Sequence, residues 1–309
     1  MSTQFHLPDL FALTPFNALR GCHGSYTRED RSSTEWALSY GILPHKRDTL
    51  YASEPELLAN ISYNSLSTTK ERLRTTGDYI ALLYVIDELT DEQDNEGVAT
   101  TREAIIKALS PNSEDIEKGT SITRMISEFV GCLSGTSQTF RERFNRHLII
   151  YVEATVDEAK VRNEGKQLLS IEEYLPIRRY NGGLLGAFDL IEFSLGIELP
   201  VEVFEDPNFM RVHCAASDMI SYSNDIYSYA MEHNKKIDTV NSVTVIMNEK
   251  GLLLQEAINY IAGAYKESGD IINEYRKRIK SYGPKVDEDI QQYIEGTLES
   301  TQRKLEEPE

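Results

Sequence analysis

The chain has no run of about 18 apolar residues, so no membrane span is expected. Its first thirty residues lack a basic start followed by an apolar stretch, so no signal peptide is expected either. Cysteine is scarce. Cys22, Cys132 and Cys214 are far apart and match no zinc spacing, which suits small apolar residues in a reducing, cytoplasmic compartment. Positive charge is also in short supply, with 32 Lys and Arg against 50 Asp and Glu and a formal charge of -18. That balance argues against nonspecific binding of nucleic acid or an anionic membrane. A polyanionic substrate would need local neutralisation by metal ions or by clustered Arg and Lys. Neither a Gly-x-Gly-x-x-Gly sequence nor a Walker loop occurs, which removes the commonest nucleotide cradles.

Strand-like alternation is rare as well, and one-faced stripes at helical spacing dominate. The 309 residues can bury a full core. Pro8, Pro15, Gly21 and Gly24 punctuate residues 1–30, read as an extended or irregular N-terminal arm; residues 31–309 form the helical domain. A first helix through Trp36 and Leu38 ends before Pro44, and a short one begins at Pro55. Residues 68–89 carry Leu73, Ile80, Leu83 and Tyr84, with Gly77 allowing close packing, and Gly97 marks a stop or turn. Helices follow at 98–109, 121–134 and 137–166, with PNSEDIEKGT as a surface loop between the first two. Pro176 is placed ahead of the next helix, and further helical patterns cover 208–234, 239–250, 252–280 and 286–305. The sum is about ten or eleven helices with short links, an all-α, single-domain bundle.

Two polar clusters stand out on this apolar background. In Ser223–Glu232 (SNDIYSYAME), Asn224, Ser228 and Glu232 are four apart and share one helix face. An amide oxygen, a hydroxyl and a carboxylate in register are the hard oxygen donors that Mg²⁺ prefers; an EF-hand loop for Ca²⁺ is absent. In Asp87–Asp94 (DELTDEQD), Asp87 and Asp91 repeat the spacing at the end of an apolar helix, where the helix dipole disfavours negative charge and a bound cation would relieve it. Glu88 points elsewhere on that helix, and Asp94 is read as a surface residue. Facing each other, the two clusters would hold Mg²⁺ and through it a phosphate.

Taken together, the clusters resemble the motifs of the class I terpene cyclases of the microbial sesquiterpene-synthase type. Asp87-Glu88-Leu89-Thr90-Asp91 is similar to the Asp-Glu-x-x-Asp variant of fungal members. The stretch from Asn224 through Asp225 and Ser228 to Glu232 matches the Asn-Asp-x-x-Ser-x-x-x-Glu motif in full. Arg178 lies 46 residues before Asn224, where the family places a diphosphate-sensing arginine. The resemblance implies Asn181 as linker and Gly182 as an effector whose carbonyl points at the developing cation. It further implies three Mg²⁺ ions, a prenyl diphosphate substrate, most simply farnesyl diphosphate, and a homodimer as an assembly to test. Tyr63, Tyr84, Tyr180 and Phe188 are candidates, from position alone, for aromatic faces that stabilise a carbocation.

Some family features differ here. Met231 stands where many relatives carry a lysine, and Lys235, seven residues beyond Ser228, is on the right face to replace it. The usual terminal Arg-Tyr pair is missing; Glu306 and Glu307 fall near its place, and Arg303 is the nearest substitute for gripping diphosphate. Two other readings remain open on the sequence. One is a chain-elongating prenyltransferase, although that class carries two aspartate-rich motifs. The other is a noncatalytic helical protein with a degenerate pocket.

Overall fold

A computed structural model describes residues 5–16, 22–110, 119–164, 169–235 and 240–306, with only the backbone of 161–164 and 302–306. All regular structure among the described residues is helical. In chain order the helices are α1 (Leu10–Leu13), α2 (Ser32–Ser39), α3 (Arg47–Ala52), α4 (Pro55–Ser62), α5 (Lys70–Asp91), α6 (Asn95–Leu109), α7 (Ser121–Cys132) and α8 (Gln138–Glu164). They continue as α9 (Ile171–Asn181), α10 (Leu184–Leu195), α11 (Val201–Phe204), α12 (Pro207–Lys235), α13 (Ser242–Lys250), α14 (Leu254–Tyr275) and α15 (Pro284–Glu306). A 3₁₀ turn at Pro44–Lys46 leads into α3. No described helix is long and apolar enough to cross a membrane.

The chain forms two compact units, one of residues 20–164 and 183–198, the other of residues 1–19, 165–182 and 199–309. The first unit is built on α5, which packs against α2, α4, α7, α8 and α10. Its centre is aromatic: Tyr79 lies 5.7 Å from Phe129 and 5.5 Å from Phe144, ring centre to ring centre. Glycine makes two of these helix contacts close. A Cβ on Gly77 would come within 2.6 Å of Ser33 Oγ, and one on Gly186 within 2.3 Å of the Tyr79 hydroxyl. The close packing expected at Gly77 is therefore real. Arg143, Asp189, Glu192 and His147 form a charged cluster between α8 and α10, with Arg143 Nε donating to Asp189 at 2.8 Å.

In the second unit α12 is the central rod, contacting α9, α11, α13, α14 and α15. The N-terminal segment belongs here. Leu10 is buried, Thr14 Oγ1 is 2.9 Å from the Tyr265 hydroxyl, and Asn273 donates to the Pro15 carbonyl at 2.9 Å. The expected irregular arm thus contains one helical turn, α1, started by the Asp9 carboxylate accepting from Ala12 N.

Three local expectations are corrected by capping. Pro176 lies inside α9 rather than before it, because Ser170 and Glu173 form a capping box that starts the helix six residues earlier. Gly97 does not stop a helix; it sits in the first turn of α6 and donates to Asp94 Oδ1 at 2.9 Å. Asp94 is accordingly an N-cap and not merely a surface acid. Cys22 and Cys132 are exposed rather than packed as small apolar residues. Residues 111–118 of the expected PNSEDIEKGT loop lie outside the described residues.

Candidate active site

The triad face is set by α12. Over 29 residues its apolar positions bury against several neighbours, which leaves the stripe of Asn224, Ser228 and Glu232 to be satisfied by polar partners. Asn224 Oδ1 accepts from the Arg178 guanidinium at 2.7 Å. Glu232 Oε2 accepts from Asn241 Nδ2 at 3.0 Å. The Ser228 hydroxyl is buried and has no hydrogen-bond partner among the described residues, yet it lies near enough to favour the Glu232 carboxylate.

Asp225 turns about 100° away from its neighbour Asn224 on the helix, and it anchors the whole arrangement. It is 1% exposed. Its carboxylate accepts from Arg178 Nε at 3.0 Å, from the Ser242 backbone N–H at 3.0 Å, and from the Tyr174 hydroxyl. Arg178 also donates to Asn181 Oδ1 at 3.1 Å. One planar guanidinium thereby joins the α9 terminus to two adjacent residues of α12, a task suited to its rigid fork of donors. The next residue, Arg179, grips Asp218 two turns earlier on α12 with a pair of bonds of 2.6 and 2.7 Å.

Electrostatics on this face follow from burial. Loss of solvent raises the Glu232 carboxyl above its ordinary value, as does Asp225; the nearby Ser228 hydroxyl, the hydrogen bond from Asn241 and the charge of Arg178 pull it back. Burial, then the charge of Asp225, pushes the Tyr174 hydroxyl well up, so it stays a donor.

α9 ends at Asn181, with Gly182 as its C-cap in an ordinary right-handed conformation (φ -81°, ψ -2°). Gly183 then takes φ 64° to start α10. The helix break expected at the glycine pair is present, and the left-handed member is Gly183.

The acidic motif closes α5. Asp87 and Asp91 are exposed on its last turns. The Tyr151 hydroxyl, donating to the Leu83 carbonyl at 3.3 Å, is pushed up by burial and then by the negative charge of Asp87. Glu88 does point elsewhere. It accepts from Lys46 at 2.7 Å, and Lys46 also pairs with Glu92 at 3.2 Å, while His45 sits 2.9 Å from Glu92. The alternate carboxylates of the motif are thus used to fasten the Pro44–Lys46 turn.

Of the proposed aromatics, Phe188 is 1% exposed and Tyr63 is 3% exposed, its hydroxyl donating to the Ala187 carbonyl at 2.9 Å. Tyr84 is half-buried, and Tyr180 is 44% exposed. Lys235 is the last residue of α12 and is exposed, on the triad side by helical spacing. The backbone of Arg303 is helical, but its side chain lies outside the described residues.

The donor set fits Mg²⁺: an amide oxygen, a buried hydroxyl with no described partner and a carboxylate are hard oxygens in register. Among the described residues no three His, Cys, Asp or Glu side chains cluster as a metal site, and the triad, with its single carboxylate, would not form one. Reasoning from sequence quoted Asp225 as a motif residue without its anchoring role, and missed Tyr174, Asn241, Asp218 and Arg179. The adjacent Arg178-Arg179 pair and the seven-residue spacing of Asp218 and Asp225 were its available signals.

The family model described as "Terpene synthase family 2, C-terminal metal binding" matches residues 78–269. The chain is 33% identical over 287 residues to "Bifunctional terpene synthase Agr4" of Cyclocybe aegerita, covering 92% of this chain and 82% of that protein. It is 29% identical over 300 residues to "Sesquiterpene synthase 6" of Postia placenta, covering 96% and 86%. The fold matches "Hedycaryol synthase in complex with HEPES" with a TM-score of 0.81 and 21% identity, over 98% of each chain. The chain belongs to the terpene synthase family, and within it to the class I enzymes.

Proposed function

We propose that the protein ionises and cyclises a linear prenyl diphosphate, with farnesyl diphosphate as substrate and a sesquiterpene hydrocarbon or alcohol as product. The observation that carries this reading is the Arg178 guanidinium bonded at once to Asn224, Asp225 and Asn181. It places the cationic fork suited to diphosphate oxygens directly beside the hard oxygen face. Support for the substrate length comes from relatives named as sesquiterpene synthases.

Asn224, Ser228 and Glu232 would hold Mg²⁺ together with Asp87 and Asp91, three ions in all by family likeness. When bound, Mg²⁺ supplies the positive charge that neutralises the diphosphate and makes it a leaving group. Arg178 binds phosphate oxygens, with Lys235 and Arg303 as further cations. Asn181 links Arg178 to the α9 terminus, and the Gly182 carbonyl presents its dipole to the allylic cation. Aromatic and apolar side chains, with Tyr63, Tyr84, Tyr180 and Phe188 as candidates, exclude water from it.

The test is a product assay on the purified protein. Geranyl, farnesyl and geranylgeranyl diphosphates are incubated separately with Mg²⁺ or with EDTA, followed by gas chromatography–mass spectrometry. A Mg²⁺-dependent cyclic product from farnesyl diphosphate is the expected result. Near-normal diphosphate release from Asn224→Ala and Glu232→Ala would overturn the site assignment.

A further inference from the structure

The triad face does not end at Asn224. Ser221 is three residues earlier and Ser217 four earlier again, so the two continue the stripe of Asn224, Ser228 and Glu232 toward the N-terminus of α12. The contacts of α12 define what surrounds this stripe. On one flank Asp218 and Asp225 meet the two arginines of α9. On the other, Phe209 and His213 pack on Tyr293 of α15 at 5.5 and 6.5 Å between ring centres. Met219, on the far side, lies against Gly269 of α14. Ser217 and Ser221 therefore face the side that carries the triad, between α9 and α15.

Both serines are buried, at 1% and 3% exposure. Neither hydroxyl has a hydrogen-bond partner among the described residues. A buried hydroxyl with no partner is costly to keep, and Ser223, one position off the stripe, avoids that cost by donating to the Ile220 carbonyl at 2.9 Å. The C-terminal end of the helix is open, with Tyr227 38% and Met231 46% exposed. An apolar tail whose head is held at the triad and which extends toward the buried end would pass Ser221 at about 4.5 Å and Ser217 at about 10 Å from Asn224 along the axis. Such a tail carries no polar atom, so it cannot satisfy the two hydroxyls. Side chains four apart on a helix have Cβ atoms about 5–6 Å apart, close enough for one water to bond both.

We propose that Ser217 and Ser221 position a water molecule that captures the terminal carbocation, so that the principal product is a terpene alcohol. This rests on the terpene synthase reading above. The water oxygen gives a lone pair to the cationic carbon and forms the C–O bond. One O–H bond of the resulting oxonium then breaks, and its proton passes to the released diphosphate, the base that ionisation leaves at the triad end of the same face.

The experiment combines isotope labelling with product ratios. Wild-type protein is incubated with farnesyl, geranyl or geranylgeranyl diphosphate and Mg²⁺ in water enriched in heavy oxygen, and diphosphate release is measured in parallel. The expected result is an alcohol carrying the heavy oxygen. Ser217→Ala and Ser221→Ala should each lower the alcohol-to-hydrocarbon ratio about tenfold, the effect of losing one hydrogen bond to the water. Ser221→Thr, which keeps the hydroxyl, should retain the ratio. Diphosphate release with hydrocarbons alone, or with an unlabelled alcohol, overturns the inference and leaves the terpene synthase reading standing. An unchanged ratio in Ser217→Ala/Ser221→Ala does the same. Absence of release from all three substrates overturns both, and the labelling arm needs no variant to fold.

Discussion

Arg178 donates to the side-chain oxygen of Asn224 at 2.7 Å, so the amide proposed as a metal ligand is already engaged by a cation of the protein. The same guanidinium is paired with buried Asp225 at 3.0 Å. Removing it has two separable consequences. Arg178→Ala leaves a buried carboxylate without its cation, which costs about 3–5 kcal/mol of stability. Arg178→Lys keeps a charge near Asp225 but cannot reach three acceptors with one planar group. It should therefore recover much of the lost stability in urea unfolding while diphosphate release stays at least about tenfold below wild type. Full activity in the lysine variant would show that the fork geometry is irrelevant.

Tyr174 gives Asp225 a second buried donor. Its ring fills space that phenylalanine would also fill, so Tyr174→Phe isolates the hydroxyl. A lost hydrogen bond to a buried charge costs about 1.5–3 kcal/mol. Chemical denaturation should show a lower midpoint with an unchanged slope, because the surface exposed on unfolding is the same.

Gly182 and Gly183 are adjacent but not equivalent. Gly183 has φ 64°, and a Cβ there would come within 2.7 Å of Leu83 Cδ2. Gly182, at φ -81°, can accept a side chain without backbone strain. Gly183→Ala should cost more than about 1 kcal/mol, while Gly182→Ala should leave the melting temperature near that of wild type. If Gly182 has a catalytic role, Gly182→Ala would show it in turnover and not in stability.

Glu299 on α15 has a carboxyl raised to about 7 by burial, with Glu295 adding a like charge. A folded-state value above the ordinary 4.5 means that the native protein binds the proton more tightly than the unfolded chain does. The stability Glu299 contributes is thus full below about pH 4.5 and is lost as pH rises through about 7, by at most about 3 kcal/mol. Glu299→Gln removes this dependence. The variant should be more resistant to urea than wild type at pH 8 and little different at pH 5.

How much of this could be read from the sequence depends on the range of the interaction. The α12 stripe was legible because helical periodicity alone puts Asn224, Ser228 and Glu232 on one face. Close packing at Gly77 and the break at Gly182–Gly183 were legible because glycine permits few other reasons for its position. Asp225 was not. Its importance comes from Tyr174, Arg178 and Ser242, 51, 47 and 17 residues away, and no local pattern announces such a meeting. The start of α9 was misplaced because proline was weighed above the Ser170–Glu173 capping box. Asp94 was likewise read by its charge and not by the Asp-x-x-Gly geometry that caps α6.

Asn241 was unmarked in the sequence yet fully buried, and it links the start of α13 to the proposed metal-binding face. Its amide donates at 3.0 Å both to Glu232 Oε2 and to the Asp225 carbonyl, while its own oxygen accepts from Val243 N at 2.9 Å. The hydrogen bond to Glu232 favours the charged carboxylate against the burial that raises it. Only the charged form is a strong Mg²⁺ ligand, so binding weakens as pH falls toward that carboxyl's value. Asn241→Ala removes a donor to the charged form, raises the Glu232 carboxyl further and moves the acid limb of Mg²⁺-dependent turnover to higher pH. At alkaline pH, where Glu232 is charged in both proteins, more Mg²⁺ should restore the variant toward wild-type rates. Rate–pH profiles at several Mg²⁺ concentrations test this. An acid limb that stays in place while the plateau falls would assign Asn241 to capping α13 alone.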